Sequence, residues 1–284
     1  MSKPLDILSL GAGVQSTTIL RMSIAGEFPK LDAAIFADTG WERKTTYEHL
    51  EILKVEAEAA GTPLYVVQAG VGLRKAMTGE DDSRTWHSVV PMFSIGDDGR
   101  PTMGKKQCTR EFKIAPIQIK IRALLGYEPG QRVKKSDAPL LRLWLGITID
   151  EADRMKDSRY AYQKNVWPLI DWVPMTRQDC FAWHDQRGID RPPRSACVGC
   201  PYQGGQEWAQ LSIAEIGDAA EVEDAVRERD DGKRGAGGPG VIAPPRPLPR
   251  LDRSWRRSRD HHDPEQHREP AVRCDHWGDL HGWC

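Results

Sequence analysis

A doubly wound α/β fold on a parallel sheet of about five strands is what this sequence predicts, on three observations. Short runs of aliphatic and β-branched residues recur at 5–10, 33–37 and 64–68. Longer stretches of helical period separate them, at about 15–25 and 45–60, the second with Leu50, Leu53 and Val55 set among Glu and Lys. The first run ends in a glycine turn that leads into a helix, and the second in "DTG". Strand and helix alternating at this pitch imply a parallel sheet that binds its ligand at the carboxyl ends of the strands.

The remaining elements follow in order. Residues 79–106 are polar and irregular. A helix fits 114–125, a buried strand 140–147 and a further helix 176–186, before which Thr176 and Asp179 have the spacing of a capping box. Residues 219–229 still read as helical. From about Gly232, Pro, Gly and Arg take over, and the aliphatics become too sparse to offset the entropy of ordering the chain. The sequence therefore divides into a folded part, 1–231, and a tail, 232–284, predicted to be disordered.

At 284 residues there is chain enough for one large domain or two small ones, with a core that needs no disulfide staples. With 40 Lys and Arg against 41 Asp and Glu, no bulk field marks the protein for nucleic acid or a membrane, so either partner requires a local patch. No apolar run approaches the roughly 20 residues that span a bilayer, and Met1 to Asp6 lacks the build of a signal peptide. These features predict a cytoplasmic protein without membrane contact. Its six cysteines are then thiols or metal ligands rather than a disulfide framework.

The turn in "LSLGAGVQST" carries the clearest chemistry. A strand that ends in a glycine loop and runs into a helix turns backbone N–H groups and the positive helix end toward an anion, usually phosphate. Gly11 and Gly13 let the backbone approach closely, and Ser16 and Thr17 stand where they add hydroxyl donors. The loop is neither G-x-x-x-x-G-K-[ST] nor G-x-G-x-x-G, because Ser16 occupies the third glycine position. In "FADTGWE", Asp38 lies beside Gly40 at the end of the second strand, on the same rim. A tight turn and a helix-capping Asp are the plainer alternatives, but two such turns on one rim favour a nucleotide.

Cys197 and Cys200 form C-x-x-C around Gly199, a turn that aims both sulfurs at one point; Cys108 and Cys180 are the other cysteines of the folded part. Four thiolates hold Zn²⁺ or a [4Fe–4S] cluster, and spacing alone does not choose. The alternatives are a small buried hydrophobe for Cys180 and a lone thiol for Cys108. Lys105, Lys106, Arg110 and Lys113 surround Cys108, and Arg154 and Arg159 follow the 140–147 strand, charges of the kind that recognise phosphate or sulfate. Glu151 stands three residues before Arg154, a spacing suited to orienting it. His49, His87 and His184 read as core or surface residues, and Trp144, Trp167, Trp172 and Trp183 as sheet packing.

"SLGAGVQST" followed by "FADTGWE" resembles the PP-loop ATP pyrophosphatase superfamily (adenine nucleotide alpha hydrolase-like). The likeness is to its branch of phosphoadenosine phosphosulfate (PAPS) reductases and related DNA-sulfur-modification proteins. It continues in the family's order through "CTREFKIAP", "GITIDEADR", "WPLIDW" and "CVGCPY", and so spans about residues 5–210. It implies an adenine nucleotide, ATP or a relative, held by Ser9, Gly11, Ala12, Gly13, Gln15, Ser16, Thr17, Asp38, Thr39, Gly40 and Gly146, with Mg²⁺ as a candidate companion. Lys113 and Arg154 match the family's basic positions and are the implied catalytic residues. The resemblance also implies a [4Fe–4S] cluster on Cys108, Cys180, Cys197 and Cys200, with zinc as the alternative. Two residues depart from the pattern: Ala12 stands where the loop usually has its second glycine, and Gln15 where it has Asp.

The implied function is an enzyme of sulfur metabolism or sulfur transfer. In one reaction ATP is cleaved to AMP and pyrophosphate through an adenylated acceptor that sulfur then attacks; in the other a preformed adenylyl sulfate is reduced. Reductases of the family carry their thiol in a C-terminal E-C-G-x-H motif, which the ending "CDHWGDLHGWC", with Cys274 and Cys284, lacks. A sulfur-donor protein and a nucleic-acid acceptor are the implied partners besides the nucleotide. The competing class is a non-catalytic nucleotide- or nucleic-acid-binding module with a structural zinc site.

Overall fold

The structure, a computed structural model, describes residues 3–79, 90, 93–95, 100–103, 107–133 and 139–234. Its strands are β1 Leu5–Leu10, β2 Ala33–Asp38, β3 Leu64–Gln68, β4 Phe93–Ile95, β5 Pro101–Met103, β6 Leu141–Leu145 and β7 Gln163–Val166. The helices are α1 Val14–Ile24, α2 Lys44–Ala59, α3 Leu73–Thr78, α4 Ala115–Leu124, α5 Pro168–Asp171, α6 Arg177–Asp185, α7 Gly205–Trp208 and α8 Ile213–Arg234. Five strands form one all-parallel sheet in the order β3-β2-β1-β6-β7. The fold class is α/β, as the alternation predicts. Strand order reverses between β1 and β6, so the crevice at their carboxyl ends opens beside the turn that follows β1.

β1 and β2 each have a parallel neighbour on both edges and a layer on both faces, which is why LDILSL and AAIFAD are buried almost throughout. Alternation sorts their side chains. Leu8, Leu10, Phe36 and Trp144 point to one face, against Leu20 of α1, Leu53 of α2 and Trp183 of α6. Ile7, Ile35, Leu141 and Leu143 point to the other, against Ile117 and Ile121 of α4. A third apolar cluster lies at the carboxyl rim of the sheet, where Val222 and Val226 of α8 meet Leu73 and Met77 of α3, Trp41 and Phe112.

Three features were not expected from the sequence. β7, "QKNV", is an edge strand too short and polar to show strand periodicity. β4 and β5 pair antiparallel inside the stretch read as irregular. The helix expected from 114 is preceded by a π-helical turn, Thr109–Ile114, a form found often at functional sites. The capping box does form: Thr176 Oγ1 accepts the Asp179 N–H at 3.2 Å, and Asp179 Oδ2 accepts the Thr176 N–H at 2.8 Å. α8 runs to Arg234, slightly past the expected start of the tail. Residues 235–284, with Cys274, Cys284 and five histidines, lie outside the described residues, as do His87, Lys105 and Lys106. Among the described residues no helix is long and apolar enough to cross a membrane.

Candidate functional site

The turn after β1 delivers the chain into α1 through Ala12, which sits at φ 54°, the single non-glycine residue with positive φ among those described. An alanine in this region costs roughly 1 kcal/mol, and such strain persists where the surroundings dictate the turn. Gly13 is the N-cap of α1 and no side chain caps the helix. The N–H groups of Val14, Gln15 and Ser16 have no acceptor within the helix, and the turn sets them at the carboxyl end of the sheet. Ser9 lies in β1 between Ile35 of β2 and Leu145 of β6.

The Ser16 and Thr17 hydroxyls do not serve as the sequence suggests. Ser16 Oγ accepts the Gly11 N–H at 3.1 Å and donates to the Gly13 carbonyl at 3.3 Å, closing the loop on itself. Thr17, fully buried, pairs with His49 Nε2 at 3.1 Å. Both hydroxyls are thus engaged within the protein.

The opposite wall of the crevice comes from the end of β6. A Cβ on Gly146 would stand 2.8 Å from Ser16 N and 3.1 Å from Ser16 Cα, so the two backbones touch. The short 3-10 segment Ile149–Arg154 follows, broken at Glu151 by its φ of −123° and ψ of 18°. Glu151 Oε2 accepts the Gln15 side-chain N–H at 3.1 Å, and its Oε1 holds Arg154 Nη1 at 2.7 Å. Arg154 is otherwise largely exposed, as are Arg110 and Arg159.

At the end of β2, Asp38 Oδ1 accepts the Gly40 N–H at 2.7 Å and the Tyr47 hydroxyl at 2.8 Å. Gly40 has φ 72°, and a Cβ there would lie 2.7 Å from Gln68 Nε2 and 3.0 Å from Gly72 Cα. A cavity of about 450 Å³ opens beside it, lined by Gly40, Gln68, Gly70, Gly72 and Arg74, a size in the usual range for small-ligand sites. Arg74 Nε donates to Asp218 Oδ1 at 2.6 Å, and Trp41 Nε1 donates to Asp218 Oδ2 at 2.5 Å, which fastens α8 to this rim.

The C-x-x-C segment is brought to the same rim by backbone pairing. Glu42 and Cys197 form an antiparallel bridge, the Val198 N–H donates to the Trp41 carbonyl at 2.8 Å, and Ser195 Cβ would lie 3.5 Å from a Cβ on Gly13. Glu42 is buried, and its Oε1 receives the Thr39 hydroxyl at 3.0 Å, Lys113 Nζ at 3.2 Å and the Cys197 thiol at 3.7 Å. Burial pushes the Cys197 thiol up, and the Glu42 carboxylate adds to it. Burial lowers the Lys113 ammonium, but Glu42, with the sulfurs of Cys197 and Cys200, outweighs it and raises the group above its ordinary value. Lys113 itself lies on the π-helical turn, with Cys108 as its N-cap residue.

Gly199 explains why this turn tolerates no side chain: a Cβ there would fall 2.1 Å from Trp41 Cη2, and Trp41 is 5 % exposed. Gly199→Ala is expected to destabilise the chain by about 2 kcal/mol or more and to expose Cys197 to alkylation. Thermal melts and iodoacetamide labelling check it, and an unchanged melting temperature would contradict this packing.

The structure does not assemble the four-cysteine set. Cys108 and Cys197 pack in the rim cluster around Trp41, whereas Cys180 is fully buried in the central core beneath α1 and α6. There burial pushes its thiol up to about 11, and Thr18 is its polar neighbour. Cys180 faces the core because it shares one side of α6 with Trp183 and His184, three and four positions on, which are buried with it. None of the four forms a disulfide, and among the described residues no three His, Cys, Asp or Glu side chains group to hold a metal ion. A four-thiolate cluster does not fit these residues. No family model matches this chain, and no curated protein matches it.

Proposed function

We propose that the chain is an adenine-nucleotide-binding enzyme of the PP-loop, PAPS reductase-like kind, working in sulfur transfer by cleaving ATP to AMP and pyrophosphate. The observation that carries this reading is the uncapped start of α1 beneath the strained Ala12 turn, walled by Gly146 on one side and by Ser195 on the other. Amides fixed by the fold cost little reorganisation when charge accumulates on a phosphate, which suits them to a phosphate in the act of transfer.

In this reading the amides of Val14 to Ser16 hold the phosphates, and Arg154 reaches them from the β6 side. Lys113, kept charged by Glu42, supplies a second cation. An acceptor oxygen attacks the α-phosphorus, the bond to the bridging oxygen of the β-phosphate breaks, and pyrophosphate leaves as its charge is met by these groups. Cys197 stands at this rim, 3.4 Å from Thr39 Oγ1 and 3.7 Å from Glu42 Oε1. No step passes through a metal cluster. Sulfur then attacks the adenylated acceptor and AMP departs; with ATP alone water is the acceptor oxygen, and incubation is expected to yield AMP and pyrophosphate in equal amounts. Formation of ADP and phosphate, or ATP binding with no turnover, would overturn the reaction assigned here.

A further inference from the structure

Gln15 departs from the acidic residue of similar loops, and the structure gives it a definite partner 136 positions away, Glu151. The chain of contacts runs Gln15 Nε2 to Glu151 Oε2 at 3.1 Å, then Glu151 Oε1 to Arg154 Nη1 at 2.7 Å. Both oxygens of one carboxylate are thus engaged, one by the first turn of α1 and the other by a guanidinium. The Glu151 side chain is 26 % exposed and the Arg154 side chain 61 %, so Arg154 is tethered through Nη1 while most of the side chain stays in solvent. The close approach of Gly146 to Ser16 holds the two segments in register.

Resting on the nucleotide reading above, we propose that Gln15 and Glu151 are positioning residues that aim Arg154 at the phosphates bound by the α1 amides. A carboxamide is needed at position 15 because it donates a hydrogen bond to Glu151. A carboxylate there would face a second carboxylate at hydrogen-bond distance, and the repulsion would turn Glu151 and its arginine away. The same logic assigns a sign to removing Glu151. An anion close to a polyphosphate, with no positioning role, weakens binding, and deleting it strengthens binding. A carboxylate that aims an arginine does the reverse.

The test is ATP affinity by calorimetry on the full chain, with melting temperatures recorded for every variant. Glu151→Ala and Arg154→Ala are each expected to weaken ATP binding about tenfold, and the double variant no more than Arg154→Ala alone, because the two act through one contact. Gln15→Glu is expected to weaken it similarly. Gln15→Glu combined with Glu151→Gln should recover most of the loss, since the exchanged carboxamide accepts from Arg154 through its oxygen and donates through its nitrogen to the carboxylate on α1. The inference is overturned if Glu151→Ala binds ATP as tightly as the unaltered chain or tighter, if the losses add, or if the exchanged pair shows no recovery. If the Gln15 variants do not fold, the alanine pair decides alone. Absence of ATP binding by the unaltered chain would instead overturn the nucleotide reading, and this inference with it.

Discussion

Gly146→Ala is expected to weaken ATP binding by tenfold or more and to lower the melting temperature by several degrees. The added methyl would meet Ser16 N at 2.8 Å, Ser16 Cα at 3.1 Å and Gln15 C at 3.3 Å. All three are backbone atoms of the first turn of α1, which cannot rotate aside as a side chain can. Either β6 or the loop must move, at a cost of about 1 to 3 kcal/mol for overpacking of this kind. Movement of the loop displaces the amides proposed to hold the phosphates, so affinity and stability are expected to fall together. Gly217→Ala on α8 is the control: its φ is not positive and nothing lies within 4 Å of the added Cβ. Calorimetry with ATP and a thermal melt check both variants. An unchanged ATP affinity for Gly146→Ala would contradict the place of β6 in the site.

Acid is expected to destabilise the protein between about pH 6.5 and pH 4 through two buried histidines. His184 is fully buried, with Nε2 3.1 Å from Thr18 Oγ1 and Nδ1 3.3 Å from Arg21 Nη1. Thr18 donates its hydroxyl to the Val14 carbonyl at 2.8 Å, so it accepts from His184 Nε2–H, and Nδ1 is left as the acceptor of the arginine N–H. A proton on Nδ1 would oppose that donor with another. Burial first, then the Arg21 charge, pushes His184 down to about 4, and the same two causes push His49 to about 4 from the ordinary 6.5. Arg21 cannot yield, because Glu56 holds it with two contacts of 2.8 Å.

In the unfolded chain both rings take up a proton near pH 6.5, whereas in the folded chain they do so only near pH 4. The unfolded state therefore binds more protons throughout that window. Stability is complete above it, declines as pH falls through it, and levels off below. Each ring contributes up to roughly 3 kcal/mol. Urea unfolding at pH 7.5, 6 and 5 measures the slope. His184→Gln should reduce it, since an amide matches both hydrogen bonds without titrating. A free energy of unfolding that stays constant from pH 7.5 to 5 would contradict the buried network.

Legibility in the sequence followed burial on both faces and short range along the chain. β1 and β2 stood out because central parallel strands are apolar throughout, and the capping box at Thr176 because its partners are three residues apart. β7 was silent, since an edge strand of four residues needs no apolar face. The glycine turn was readable as a strand-to-helix turn, but not the use of its hydroxyls, because the partner of Thr17 is His49 on another helix. Glu42 lay within a quoted motif without being singled out; only the return of Cys197 and Lys113 to it reveals a buried ion pair. Ser195 had no local signal at all. Cys180 had the right residue type and the wrong side of its helix, a distinction that the 176–186 pattern, with its few apolar positions, could not draw.

The central claim is that the open amides of α1 bind nucleotide phosphate, and Gly13→Asp tests it most directly. Gly13 has the extended backbone of an N-cap, φ −97° and ψ 175°, and caps with no side chain. Aspartate in that position accepts hydrogen bonds from the amides two and three residues on and stabilises a helix by roughly 1 kcal/mol over an uncapped start. It would thus occupy the anion site with its own carboxylate while keeping or raising the melting temperature. Gly13→Ala, whose Cβ meets Ser195 Cβ at an ordinary 3.5 Å, leaves the amides open. Calorimetric titration with ATP is expected to show one saturable site in the unaltered chain and in Gly13→Ala, and none in a fully folded Gly13→Asp. Equal ATP affinity in all three would contradict the claim.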